Sequence, residues 1–209
     1  MAEEVARNAT SGLIAASALG LLALSACGSE PTNPAFAKSL ILLPLENDSD
    51  IMRYALLLAL LEVDFYTKAI ASGVLSSNVA TLAASIRTHK TSHVSALQSA
   101  LGANAITTDQ IAFSFGTALA TQASFLNTAQ SLKRTSVGAY LGIAHSITSR
   151  SVRTTLGAIS SVEARHYAAL RIFGNTSGGP VIAAFETPLT PQAVIDALEA
   201  SSFITKGLA

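Results

Sequence analysis

Glu163 and His166 stand three residues apart in Val162-Glu163-Ala164-Arg165-His166. On a helix that spacing puts a carboxylate and an imidazole on one face, within reach of a single metal ion. A parallel segment, Lys90-Thr91-Ser92-His93, repeats the histidine but has a lysine where the carboxylate stands. The two histidines are 73 residues apart, and Tyr66 and Tyr140 are 74 apart, which makes the chain an internal repeat of two helical hairpins. With Glu62, the set Glu62, His93, Glu163 and His166 offers two imidazoles and two carboxylates, a combination that suits zinc or another borderline ion. The competing reading makes His93 and His166 packed core histidines bonded to an ion-pair network, because Lys90 and Lys133 disfavour a cation beside them. Tyr66 and Tyr140 are either partners of a metal centre or buried phenols donating to a carboxylate. His89 and His145 fall off the face that carries the other four and read as surface or crossover residues.

Other chemistries find no residues. No glycine-rich phosphate loop follows a strand, and no Gly-x-Ser-x-Gly elbow presents a nucleophilic serine. The 13 basic and 13 acidic residues cancel, which leaves no basic stripe for a nucleic acid backbone. Half the residues are apolar, aromatics make up 6% and Trp is absent. Ala, Leu, Ser and Thr dominate, a composition for closely packed helices. The expected fold is all-α, with one core of ordinary domain size.

Helical stretches with start and stop signals place these residues. One runs from about Asp48 to Ser72, behind Asn and Asp capping candidates and ahead of Gly73. A second is capped by Asn78 and ends at Leu101 before Gly102. A connection with Ile106, Ile111, Phe113 and Phe115 crosses over the bundle. A third helix then spans about Thr117 to His145 and a fourth about Ser149 to Phe173. Thr190-Pro191 opens a short helix through Leu198, expected to pack on the bundle as a lid.

Two antiparallel hairpins joined by a long crossover are the layout of ferritin-like bundles. Leu61-Glu62-Val63-Asp64-Phe65-Tyr66, Thr135-Ser136-Val137-Gly138-Ala139-Tyr140, Val162 to His166 and the tail Ala184-Phe185-Glu186-Thr187-Pro188-Leu189-Thr190 resemble the bacterial ferritin-like domain family of the desiccation-related type. The resemblance implies a di-iron site built from one Glu on each of two helices and a Glu-x-x-His pair on each of the others. It places the lone Glu positions seven residues before each tyrosine, at Ala59 and Lys133, and the two paired Glu positions at Lys90 and Glu163. Only Glu163 and His166 match fully. Carboxylates offset the charge of the iron ions and bridge them, so the substitutions predict a degenerate centre with no metal and no cofactor. In its place the sequence predicts two buried ion pairs, Glu62 with Lys90 and Lys133 with Glu163, each hairpin neutral by itself.

Near the N-terminus, Gly12 to Ala26 is an apolar run too short to span a bilayer and of signal-peptide length. It ends in Leu24-Ser25-Ala26-Cys27, a string that resembles a bacterial lipobox, with Cys27 as the lipidated residue. The alternative is an N-terminal helix in which Cys27 is an ordinary small apolar residue. The expected organisation is a lipoprotein signal peptide over 1–26, a lipidated tether over 27–47, the bundle over 48–174 and an extension over 175–209. The corresponding function is non-enzymatic: an exported lipoprotein of the cell envelope, membrane-attached through its lipid, with a structural, stress-related or protein-interaction role and a protein partner or self-association. Alternatives are a secreted or periplasmic soluble protein, a metal-binding relic with ferroxidase or oxidase ancestry or a single metal ion, and a bundle that takes an apolar ligand.

Overall fold

A computed structural model describes residues 43–175, 177–180 and 183–206. The expectations for the signal peptide and Cys27 lie outside the described residues.

Five α-helices form among the described residues: α1 Asp48–Ala71, α2 Ser77–Leu101, α3 Gln122–Ile143, α4 Arg150–Phe173 and α5 Pro191–Ser201. Asn47 caps α1 by accepting from the amides of Ser49 and Asp50. Two starts differ from expectation. α2 begins one residue before Asn78, with Ser76 at its cap. α3 begins at Gln122, because Gly116–Leu119 forms a separate 3-10 turn and Thr121 with Ser124 makes a reciprocal capping box. The remaining boundaries follow the sequence reading to within a few residues.

α1 pairs with α2 and α3 with α4, as short loops require. The run from Tyr54 to Glu62 is buried on every side of α1. A helix apolar all round is either central or membrane-spanning, and here it is central: α5 and the crossover add Val194, Ile195, Leu198, Ile106 and Phe115 to the same core. No described helix is long and apolar enough to cross a membrane. At one end of the bundle, Phe65 meets Phe115 at 5.1 Å and Phe125 at 5.4 Å, and Phe115 meets Phe203 at 5.2 Å. Two short strands close that end, β1 (Ala112–Phe113) and β2 (Ile204–Lys206), antiparallel with Ala112 opposite Lys206 and Phe113 opposite Ile204.

The C-terminal extension does more than lay a lid. Before α5 begins, residues 187–190 run as a strap directly on the backbone of α3. The Leu189 amide donates to the Gly138 carbonyl at 2.9 Å. A Cβ on Gly138 would lie 2.7 Å from Leu189 Cγ, and one on Gly142 would lie 1.8 Å from the Leu189 carbonyl oxygen. The spacing Gly138-x-x-x-Gly142 thus clears a track along one face of α3.

Candidate functional site

Each of the four bundle helices sends one charged side chain inward at the same level: Glu62 from α1, Lys90 from α2, Lys133 from α3 and Glu163 from α4. All four are 0 or 1% exposed. Lys133 Nζ donates to Glu62 Oε2 and, at 2.6 Å, to Glu163 Oε2. Lys90 Nζ donates to Glu163 Oε1 at 2.8 Å and stands 3.6 Å from Glu62 Oε1. The second oxygen of Glu62 is completed by Ser136 Oγ, donating at 2.7 Å.

This is a ring, and it holds more than the two expected pairs. Lys133 bonds Glu163 as expected, and Lys90 with Glu62 forms the other expected buried ion pair, at 3.6 Å. Bonds that tie the hairpins together, Lys90 to Glu163 and Lys133 to Glu62, do the rest. The repeat explains the arrangement. Lys90 and Glu163 are equivalent positions 73 residues apart, and Glu62 and Ser136 are equivalent positions 74 apart. Equivalent residues that touch must lie beside the axis relating the two halves, so the ring sits on the pseudo-twofold axis.

Burial opposes charge on Lys90 and Glu163, and the ring overcomes it. For Lys90, desolvation works against the ammonium, yet Glu163 and Glu62 hold its pKa above the ordinary lysine value. For Glu163, desolvation is again the largest opposing effect, and Lys90, Lys133 and a bond from His93 hold the carboxyl well below the ordinary range. Two cations and two anions leave the group neutral.

The histidines sit at its edge. His93 Nδ1 lies 3.3 Å from Glu163 Oε1, and His166 Nδ1 lies 4.0 Å from Glu163 Oε2. Burial, helped by Lys133, pushes the pKa of His166 down to about 3, so its imidazole is neutral at physiological pH. His89, expected off this face, reaches it: its Nδ1 is 2.9 Å from His166 Nε2, and the two rings stack with centroids 5.1 Å apart. His145 is exposed, as expected. The tyrosines also depart from expectation. Neither Tyr66 nor Tyr140 donates to a carboxylate, since both hydroxyls are buried without a hydrogen-bond partner. Burial first, then Glu62 and Glu163, raises the Tyr66 phenol well above its usual value. Its ring instead receives Lys133, with Nζ 5.5 Å from the centroid.

A carboxylate-bridged dinuclear centre needs anionic donors on all four helices, and these residues do not fit one. Ala59 supplies no donor, and both ammonium groups already hold the carboxylates that remain. Among the described residues no three His, Cys, Asp or Glu side chains gather as a metal cage. Sequence reasoning missed Ser136 and His89. Ser136 was legible as the repeat partner of Glu62, whereas His89 lies one turn before His93 and its contact depends on how α2 is rotated against α4.

Comparison with curated proteins finds no match. A family model described as ferritin-like domain matches residues 47–175. That match spans all four helices and every member of the ring, so the chain belongs to the ferritin-like domain family.

Proposed function

We propose that this ferritin-like chain works as a scaffold rather than a redox enzyme, with the Lys90, Lys133, Glu62 and Glu163 ring in place of a dinuclear metal centre. One observation carries the reading: two ammonium groups lie between the same two carboxylates, each within ion-pair distance of both. Electrostatically the lysines do what metal ions do in such a bundle, binding four helices through two anions, but they offer no vacant coordination site and no electrons. Replacing a metal by fixed charges retains the bundle's shape and gives up its chemistry. The accompanying proposal for the whole protein is an exported, lipid-anchored member of the desiccation-related type, attached through Cys27 and acting in the cell envelope by structure or by protein contact.

Elemental analysis tests the central part. The purified chain, supplied in turn with iron, manganese and zinc, is expected to retain less than stoichiometric metal. Stoichiometric metal that disappears when His93 and His166 are replaced together would overturn the reading and favour a mono-metal protein built on Glu163 and its two flanking histidines. That second reading draws on the position of both imidazole Nδ1 atoms within 4.0 Å of Glu163.

A further inference from the structure

Opposite the aromatic end of the bundle lies an apolar groove of about 760 Å³, the volume of a small-molecule site. Its floor is core: Ile51 of α1 and Ile143 of α3 are 1 and 2% exposed. Leu43, Leu45 and Leu189 continue the aliphatic wall, and Leu141 on the rim is 40% exposed. Polar side chains collect at one end. The strap and α3 run side by side from Gly138 to Gly142, so the residues that follow on each come together at the end of that seam. They are Thr190 and Gln192 on one side and His145 and Ser146 on the other, and all four line the groove.

Two of the four are committed. Thr190 Oγ1 accepts from the Ala193 amide at 3.2 Å, and Gln192 Nε2 donates to Asp196 Oδ1 at 2.6 Å. The His145 and Ser146 side chains have no hydrogen-bond or ion-pair partner among the described residues. His145 is also the one ionisable residue of the lining, which contains no Asp, Glu, Lys or Arg. Protonated, it is a cation with two donors. The first turn of α5, with the positive end of its dipole, begins beside it. An aliphatic trough that ends in an uncommitted imidazole and hydroxyl, with no carboxylate in its wall, is complementary in charge to an anionic amphiphile. We propose that the groove binds a fatty acid, its chain along Ile51, Leu141 and Leu189 and its carboxylate bonded by His145, with Ser146 donating to the second oxygen. One imidazole matches a head group of one charge, whereas a phosphate monoester brings a second charge that the lining does not meet. The site is separate from the ring, so this binding does not depend on whether the ring holds metal.

The test uses the full chain, freed of co-purifying lipid, and cis-parinaric acid, a fatty acid that fluoresces in apolar surroundings. Wild-type protein is expected to bind it saturably. Palmitate should displace it about tenfold more effectively than palmitoyl lysophosphatidylcholine, which has the same tail and a zwitterionic head. His145→Ala should weaken palmitate about tenfold and leave the lysolipid unchanged, and His145→Lys should restore palmitate. Leu141→Asp should abolish binding of both. Phe185, 90% exposed and outside the groove, supplies the control: Phe185→Ser should change nothing. All three positions are exposed, so circular dichroism should match the wild type throughout. No saturable binding, equal displacement by the two lipids, or full palmitate affinity in His145→Ala would each overturn the proposal. So would binding that survives Leu141→Asp or is lost with Phe185→Ser, or a wild-type dimer that becomes monomeric with Leu141→Asp, which would assign the groove to a second copy.

Discussion

Lys133 makes two hydrogen bonds to carboxylates of different helices, and Lys90 makes one, to Glu163, with Glu62 at 3.6 Å. Burying four charges is no bargain in itself, since desolvation cancels most of the attraction. Removing one is different, because it strands an uncompensated charge in the core. Lys133→Met is therefore expected to lower unfolding free energy by about 3 to 5 kcal/mol, read by urea denaturation. The ring makes a further prediction that separate pairs do not. With Lys133 gone, Lys90 still holds Glu163, so adding Glu62→Gln should restore more stability than adding Glu163→Gln. Rescue by Glu163→Gln alone would show that the pairs act independently.

At the level of elements, the strap is the feature that helix patterning hides. Its amide bonds a carbonyl of a helix already hydrogen-bonded along its length, and that approach depends on the absence of a side chain at Gly138 and Gly142. The same substitution should thus have opposite signs at two helical glycines. Gly142→Ala must move the strap and is expected to cost about 1 to 3 kcal/mol, with faster amide exchange at Leu189. Gly157→Ala on α4 meets nothing within 4 Å and should stabilise by about 0.5 to 1 kcal/mol through helix propensity. Thermal midpoints of the two variants decide the matter, and a neutral Gly142→Ala would mean that the strap lifts freely.

For the whole molecule, the ring connects all four helices, so its titration acts on global stability. His166 is held neutral, with a folded pKa of about 3 against an ordinary 6.5. The unfolded chain takes up that proton first, so stability falls as pH drops below about 6.5 and continues to fall towards 3. By pH 4 the loss amounts to about 3 kcal/mol. Glu163 acts in the same direction at lower pH, because its depressed pKa contributes stability that is lost as pH falls through its folded value. Lys90, raised above the lysine range, weakens the fold only when pH climbs past its ordinary 10.5. His166→Gln should flatten the dependence of unfolding free energy on pH between 6.5 and 4 by close to one proton. An unchanged slope would show that the buried imidazole does not govern that window.

By itself the sequence determined the number of helices, their pairing through short loops, the two-hairpin repeat and the residue types at the ligand positions. These depend on local capping, on periodicity and on spacing within one helix, which the chain carries in linear order. Tertiary structure decided what touches across helices. Lysine side chains are long enough to reach carboxylates on either hairpin, so the expected Glu62–Lys90 and Lys133–Glu163 pairs are joined by bonds across the axis. Helix rotation brought His89 onto His166, and close backbone approach seated the strap on two glycines whose spacing alone did not say what would lie there. A pattern within one helix defines its faces; only the packed set of helices fixes which groups those faces meet.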